Sequence, residues 1–184
     1  DGWISDAMAR EHIAGAAVSV VQNGQIVLKK GYGVADLKAR KPVDPDRTLF
    51  RIGSISKTFT WILLMKEVEA GRIRLDRPVN LYLPERLRLP GPSREIMVAN
   101  LLDHSAGFED RALGQLFEND PRKVRPLALY LRQERPSRVR PPGQLSSYSN
   151  YGAALAGEAA AFVSGKTFES RVETEIARPL GMGH

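Results

Sequence analysis

The 184-residue sequence contains no cysteine. That removes disulfides, cysteine nucleophiles and thiolate metal sites together. Histidine is scarce: His12, His104 and His184 stand far apart, and no His-Glu-x-x-His or comparable ligand spacing links them, so no metal or other cofactor is expected. No apolar run approaches the ~18 to 20 residues a membrane-crossing helix needs, and the first residues lack a basic segment followed by an apolar one. The chain starts at Asp1 rather than methionine, which leaves a trimmed leader or anchor open.

What is present is the composition of one soluble globular domain, 42% hydrophobic and 26% charged. The net charge is +6, and the surplus is densest in Arg122-Lys123-Val124-Arg125 and from Arg132 to Arg140. Nucleic-acid binding would call for basic residues along one face with interleaved aromatics, and that pattern is missing. The basic stretches read as a solvated surface, and no nucleic-acid partner is expected.

Residues 6–12 read as the end of a helix. Gly15 then opens the apolar run Ala16-Ala17-Val18-Ser19-Val20-Val21, which Asn23-Gly24 separates from Gln25-Ile26-Val27-Leu28. Asn-Gly between β-branched runs predicts a hairpin, placed over residues 15–35. Residues 36–47, with Pro42 and Pro45, read as an excursion over the surface. From Ser54 to Ala70 apolar residues recur at helical spacing through Ile55, Phe59, Ile62, Leu63 and Val68, until Gly71 supplies a stop. Further helices are expected over 98–102, 126–135, 151–163 and 168–177, between joints at Pro84, Pro90-Gly91-Pro92 and Pro141-Pro142-Gly143. Trp3, Phe59, Trp61 and Phe162 are the expected aromatic core, and Tyr151 and Phe108 are candidates to line a pocket.

Two segments carry chemistry. Ser54 and Lys57 stand at i and i+3, a spacing that puts both on one helical face, so a nucleophile has a base or a cation beside it. Unpaired N–H groups at a helix start favour the negative charge of an alkoxide on Ser54. Taken alone, the pair reads equally as an N-cap serine and a surface lysine. The second segment is Ser147-Tyr148-Ser149-Asn150-Tyr151. In extended chain Tyr148 and Asn150 point to the same side, so a phenol and an amide face one cavity; by themselves they also suit a simple turn. His104-Ser105-Ala106-Gly107 does not make a nucleophile elbow, because Asp103 stands where glycine is required. Asp44, Asp46, Glu109 and Asp110 show no spacing of a glycosidase pair.

Taken in order, Gly53-Ser54-Ile55-Ser56-Lys57-Thr58-Phe59, Leu101-Leu102-Asp103-His104-Ser105-Ala106-Gly107-Phe108, Tyr148-Ser149-Asn150 and Arg178-Pro179-Leu180-Gly181-Met182 resemble a known set. It is that of the serine β-lactamase and penicillin-binding protein superfamily, including class C β-lactamases and related esterases. The resemblance implies an α/β (α+β) fold of the β-lactamase/transpeptidase type, with a helical subdomain and the first hairpin of an antiparallel sheet. It implies acylation of Ser54 by a β-lactam, a D-alanyl peptide or an ester. Lys57 or Tyr148 serves as base, Asn150 positions Lys57 and substrate, and the Ser54 N–H is one oxyanion donor, a type worth about 2.7 to 4 kcal/mol. Free lysine titrates near ~10.4 and tyrosine near ~10, so either base needs roughly 4 kcal/mol of differential interaction to work near neutrality. A periplasmic or extracytoplasmic setting is implied as well.

The family's third element, Lys-Thr-Gly or His-x-Gly on a later strand, does not occur before His184. Residues 1–184 are therefore expected to be the N-terminal part of one hydrolase domain, with a hairpin over 15–35 and mainly helix over 54–184. The expected partners are a small-molecule or peptide carbonyl substrate and the missing C-terminal part of the same domain. The alternative is a non-catalytic peptidoglycan- or ligand-binding relative, or a fragment that needs a complementary chain.

Overall fold

The computed structural model describes residues 1–91, 95–110 and 118–183, so Pro92 of the second proline joint and His184 lie outside the described residues. The chain divides into two compact units, residues 1–52 and residues 53–183.

The first unit begins with helix α1 (Gly2–Arg10), followed by strands β1 (Gly15–Gln22), β2 (Gln25–Asp36) and β3 (Lys41–Pro42) in an antiparallel sheet of order β1-β2-β3. Asn23 and Gly24 carry φ of 50° and 75°, the paired positive values that a type I′ hairpin turn requires. Register runs from Gly15 opposite Gly33 to Gln22 opposite Gln25, with Val27 bulged where Val20 faces Leu28 and Val21 faces Ile26.

The hairpin thus ends one residue beyond the expected 15–35, and the expected surface excursion holds a third strand. Its neighbour Val43 is buried, because β2 bears a glycine there: a Cβ on Gly31 would stand 2.3 Å from the Val43 carbonyl oxygen. Trp3 is 81% exposed, against the expectation of a core aromatic, since α1 buries none of its residues.

The second unit is helical. A 3₁₀ turn (Gly53–Ser56) leads into α2 (Lys57–Glu69); α3 (Val98–Leu102), α4 (Leu127–Gln133), α5 (Asn150–Ser164) and α6 (Phe168–Val172) follow, the last running on into a π turn over Glu173–Ala177. Among the described residues no helix is long and apolar enough to cross a membrane.

The core joins Leu63 and Leu64 of α2, Leu101 of α3, Leu131 of α4 and Leu155 of α5, all nearly or fully inaccessible, with Val79, Leu83 and Leu87 from the connecting turns. Helix α5 packs closely because its inner face is alanine and glycine; a Cβ on Gly157 would sit 3.2 Å from the Phe168 ring. Its ends are specified locally. Ser149 caps the N-terminus by accepting from the Gly152 N–H at 3.0 Å, and Gly165 closes the C-terminus at φ 69°.

The buried face of α2 is Thr60, Leu63, Leu64 and Glu67, while Ile55 and Ile62 are exposed. Glu67 is tolerated there because Arg171 meets it at 2.7 Å and Arg72 at 2.6 Å. Arg171 also donates to Glu175 at 2.9 Å and to the Ala160 carbonyl at 2.8 Å. Phe59 and Trp61 pack against the core, whereas Phe162, in the last turn of α5, is 51% exposed. Tyr151 and Phe108 are core residues, stacked edge to face at 5.0 Å, and the Tyr151 hydroxyl donates to the Leu131 carbonyl at 3.0 Å.

Candidate active site

Ser54 lies one turn ahead of α2, in the 3₁₀ segment that Gly53 starts at φ 54°. The sequence pattern had placed it within the first α-helical turn. The tighter turn favours the contact, because residues i and i+3 eclipse in 3₁₀ geometry. Lys57, the first residue of α2, donates from Nζ to Ser54 Oγ at 3.2 Å.

The second pair arrives on the start of α5. Ser149 is buried and turns inward to cap the helix, so Tyr148 before it and Asn150 after it project to the opposite side, as alternation requires. The Tyr148 hydroxyl donates to Ser54 Oγ at 2.5 Å. Lys57 Nζ donates to Asn150 Oδ1 at 2.7 Å and stands 4.6 Å from the centre of the Tyr148 ring. All four residues singled out in the sequence, Ser54, Lys57, Tyr148 and Asn150, therefore share one site within the second unit.

Electrostatics make the Tyr148 phenol more acidic than usual. Burial pushes Tyr148 up, but hydrogen bonding with Lys57 and Ser54, together with the Lys57 charge, outweighs it and leaves the phenol below its ordinary value; Asp110 opposes the decrease.

Two neighbours went unassigned in the sequence. Asp110, considered there only as a glycosidase carboxylate, accepts from both the backbone N–H and the side-chain amide of Asn150, each at 3.4 Å. With Nδ2 turned to Asp110, Oδ1 is the atom left for Lys57. His104 packs against Tyr148, with ring centres 4.6 Å apart, and its Nδ1 accepts from the Ser149 N–H at 3.2 Å. Burial and the Lys57 charge hold this imidazole below its usual value, against the pull of Asp103 and Asp110.

The sequence signal for His104 is its place in the Leu101-Leu102-Asp103-His104-Ser105-Ala106-Gly107-Phe108 segment that carries the resemblance, where no role falls to it. Ser105 is occupied elsewhere: its Oγ donates to Asp103 at 2.5 Å and accepts from Asn100 at 2.9 Å. Among the described residues no group of three or more histidine, aspartate or glutamate side chains is arranged to hold a metal ion.

The arrangement brings a tyrosine hydroxyl and a lysine amine onto one serine hydroxyl. A family model described as Beta-lactamase matches residues 1–184. A protein named Beta-lactamase from Pseudomonas fluorescens is 32% identical over the whole of this chain and 49% of its own length. Esterase EstB of Burkholderia gladioli is 33% identical over 59% of this chain and 28% of its own length. The crystal structure of Beta-Lactamase/D-Alanine Carboxypeptidase from Pseudomonas syringae superposes with a TM-score of 0.75 at 28% identity, covering 98% of this chain and 48% of that one. The chain spans about half the length of the first of these relatives and of the superposed structure. Its matching segments, its architecture and its family match agree: the chain belongs to the β-lactamase family.

Proposed function

We propose that this chain carries the nucleophile and base of a serine hydrolase that works through an acyl-enzyme. The observation that supports this reading best is the convergence of Tyr148 and Lys57 on Ser54 Oγ, at 2.5 Å and 3.2 Å.

In the proposed reaction the ionised Tyr148 oxygen takes the Ser54 proton as Oγ bonds to the substrate carbonyl carbon, giving a tetrahedral oxyanion. Collapse breaks the bond to the leaving nitrogen or oxygen. That atom receives the proton from Tyr148, leaving Ser54 esterified, and water then releases the acid by the same steps in reverse roles. Lys57 keeps the phenol acidic, while Asn150 holds Lys57. The Ser54 N–H is one oxyanion donor.

The substrate is a β-lactam, a D-alanyl peptide or a simple ester, the classes named by the relatives above, with esters or peptides preferred by analogy. Residues 1–184 form the N-terminal part of the catalytic domain in this reading.

A second reading is a non-catalytic peptidoglycan- or ligand-binding relative, or a fragment that acts only with a complementary chain. Labelling the full-length protein with a fluorescent penicillin and a fluorophosphonate separates the two readings. The catalytic reading expects labelling that disappears in Ser54→Ala, and absence of labelling by both probes overturns it. Rates on p-nitrophenyl esters, a chromogenic cephalosporin and D-Ala-D-Ala peptides, compared under one condition, assign the substrate class.

A further inference from the structure

His104 follows the Asp103 C-cap of α3 and adopts φ 59°. A residue in this left-handed position after a helix is usually glycine, because a side chain there costs roughly 1 to 2 kcal/mol. Histidine holds it, and the residue grips three consecutive positions of the segment carrying the candidate base. Its carbonyl accepts from the Ser147 N–H at 2.8 Å, its ring lies 4.6 Å from that of Tyr148, and its Nδ1 accepts from the Ser149 N–H at 3.2 Å. Trp61 of α2 meets the imidazole edge to face at 6.3 Å.

We propose that His104 is the positioning residue for Tyr148: its Nδ1, as acceptor of the Ser149 N–H, sets the turn that holds the phenol on Ser54 Oγ. The role rests on the serine hydrolase reading for its kinetic consequence and on the hydrogen bond alone for its structural one. Only an unprotonated Nδ1 accepts this bond, so the proton of the neutral ring sits on Nε2. Burial and Lys57 favour that neutral ring, while Asp103 and Asp110 oppose it.

The test compares His104→Gly with His104→Asn in the full-length protein. Both residues tolerate the left-handed backbone, but only asparagine keeps an acceptor where Nδ1 stands. In His104→Gly the acylation rate is expected to fall about 10- to 100-fold with KM changed less, the loss that small misplacement of a reacting group produces. Amide exchange at Ser149 is expected to accelerate in the same variant. His104→Asn is expected to recover most of the rate and the exchange protection. Equal rates and equal Ser149 exchange in the two variants overturn the proposal. If His104→Gly is too unstable to assay, nitrogen chemical shifts of the His104 ring in the wild-type protein decide: a neutral ring protonated on Nε2 with Nδ1 accepting supports the role, and a ring protonated on Nδ1 overturns it. If the wild-type protein is not acylated at all, the hydrolase reading fails, while Ser149 exchange still decides whether His104 holds the turn.

Discussion

Lys57 Nζ donates to Asn150 Oδ1 at 2.7 Å, joining the first residues of α2 and α5 across 93 positions of sequence. Asn150→Ala removes that acceptor without altering the Ser149 cap. The acylation rate is expected to drop about 10- to 100-fold, as for other losses of orientation. Stopped-flow acylation with a chromogenic substrate reads the change, and an unaltered rate contradicts the positioning role.

Tyr148 carries the pH dependence. Its phenol lies below the ordinary value, and in the proposed reaction the ionised form accepts the Ser54 proton, so the acylation rate is expected to rise with pH through that lowered value. Tyr148→Phe should lose this rising limb together with most of the rate. A limb that survives in Tyr148→Phe assigns the base to another group.

The Glu67 and Arg171 pair lies in the interior, with side-chain exposures of 0% and 2%. Arg171→Ala leaves Glu67 with Arg72 alone and frees the Ala160 carbonyl, and removing one partner of a buried pair costs about 3 to 5 kcal/mol. Chemical denaturation of the full-length variant measures the loss. A change below about 1 kcal/mol, the range of exposed pairs, places the network at the surface in energetic terms.

Glu175 governs part of the acid stability. Hydrogen bonds from Arg171 and Lys66 hold its carboxyl down from 4.5 to about 2, against the effect of burial. A folded-state value below the unfolded one contributes stability that is complete above about 4.5 and fades as pH falls towards about 2. Glu175→Gln should therefore be less stable than wild type at neutral pH and nearly equal to it at the acid end. Thermal melts across this range check the convergence of the two curves.

The legible parts of the chain were those set by local rules. Asn23-Gly24 specified its own turn, and Gly71 and Gly165 follow helices that end where they stand. The period-two relation of Tyr148 and Asn150 survived because a capping serine sits between them. Periodicity misjudged exposure, however: Ile55 and Ile62 fit a helical stripe yet face solvent, while Thr60 and Glu67 face inward. The inner face of α2 follows from what it meets, the small residues of α5 and the guanidinium of Arg171. The strand Lys41–Pro42 escaped notice because two residues with a proline carry no period, and its pairing comes from β2.

From the sequence alone came the identities and spacings of Ser54, Lys57, Tyr148 and Asn150, since these depend on chain geometry over a few residues. Tertiary structure alone decided that the two segments meet, that Asn150 turns its oxygen to Lys57, and that His104 and Asp110 flank them. Those relations are distances between α2, α3 and α5. Burial of Leu63, Leu101 and Leu155 in one core sets them, and no local pattern encodes such a distance.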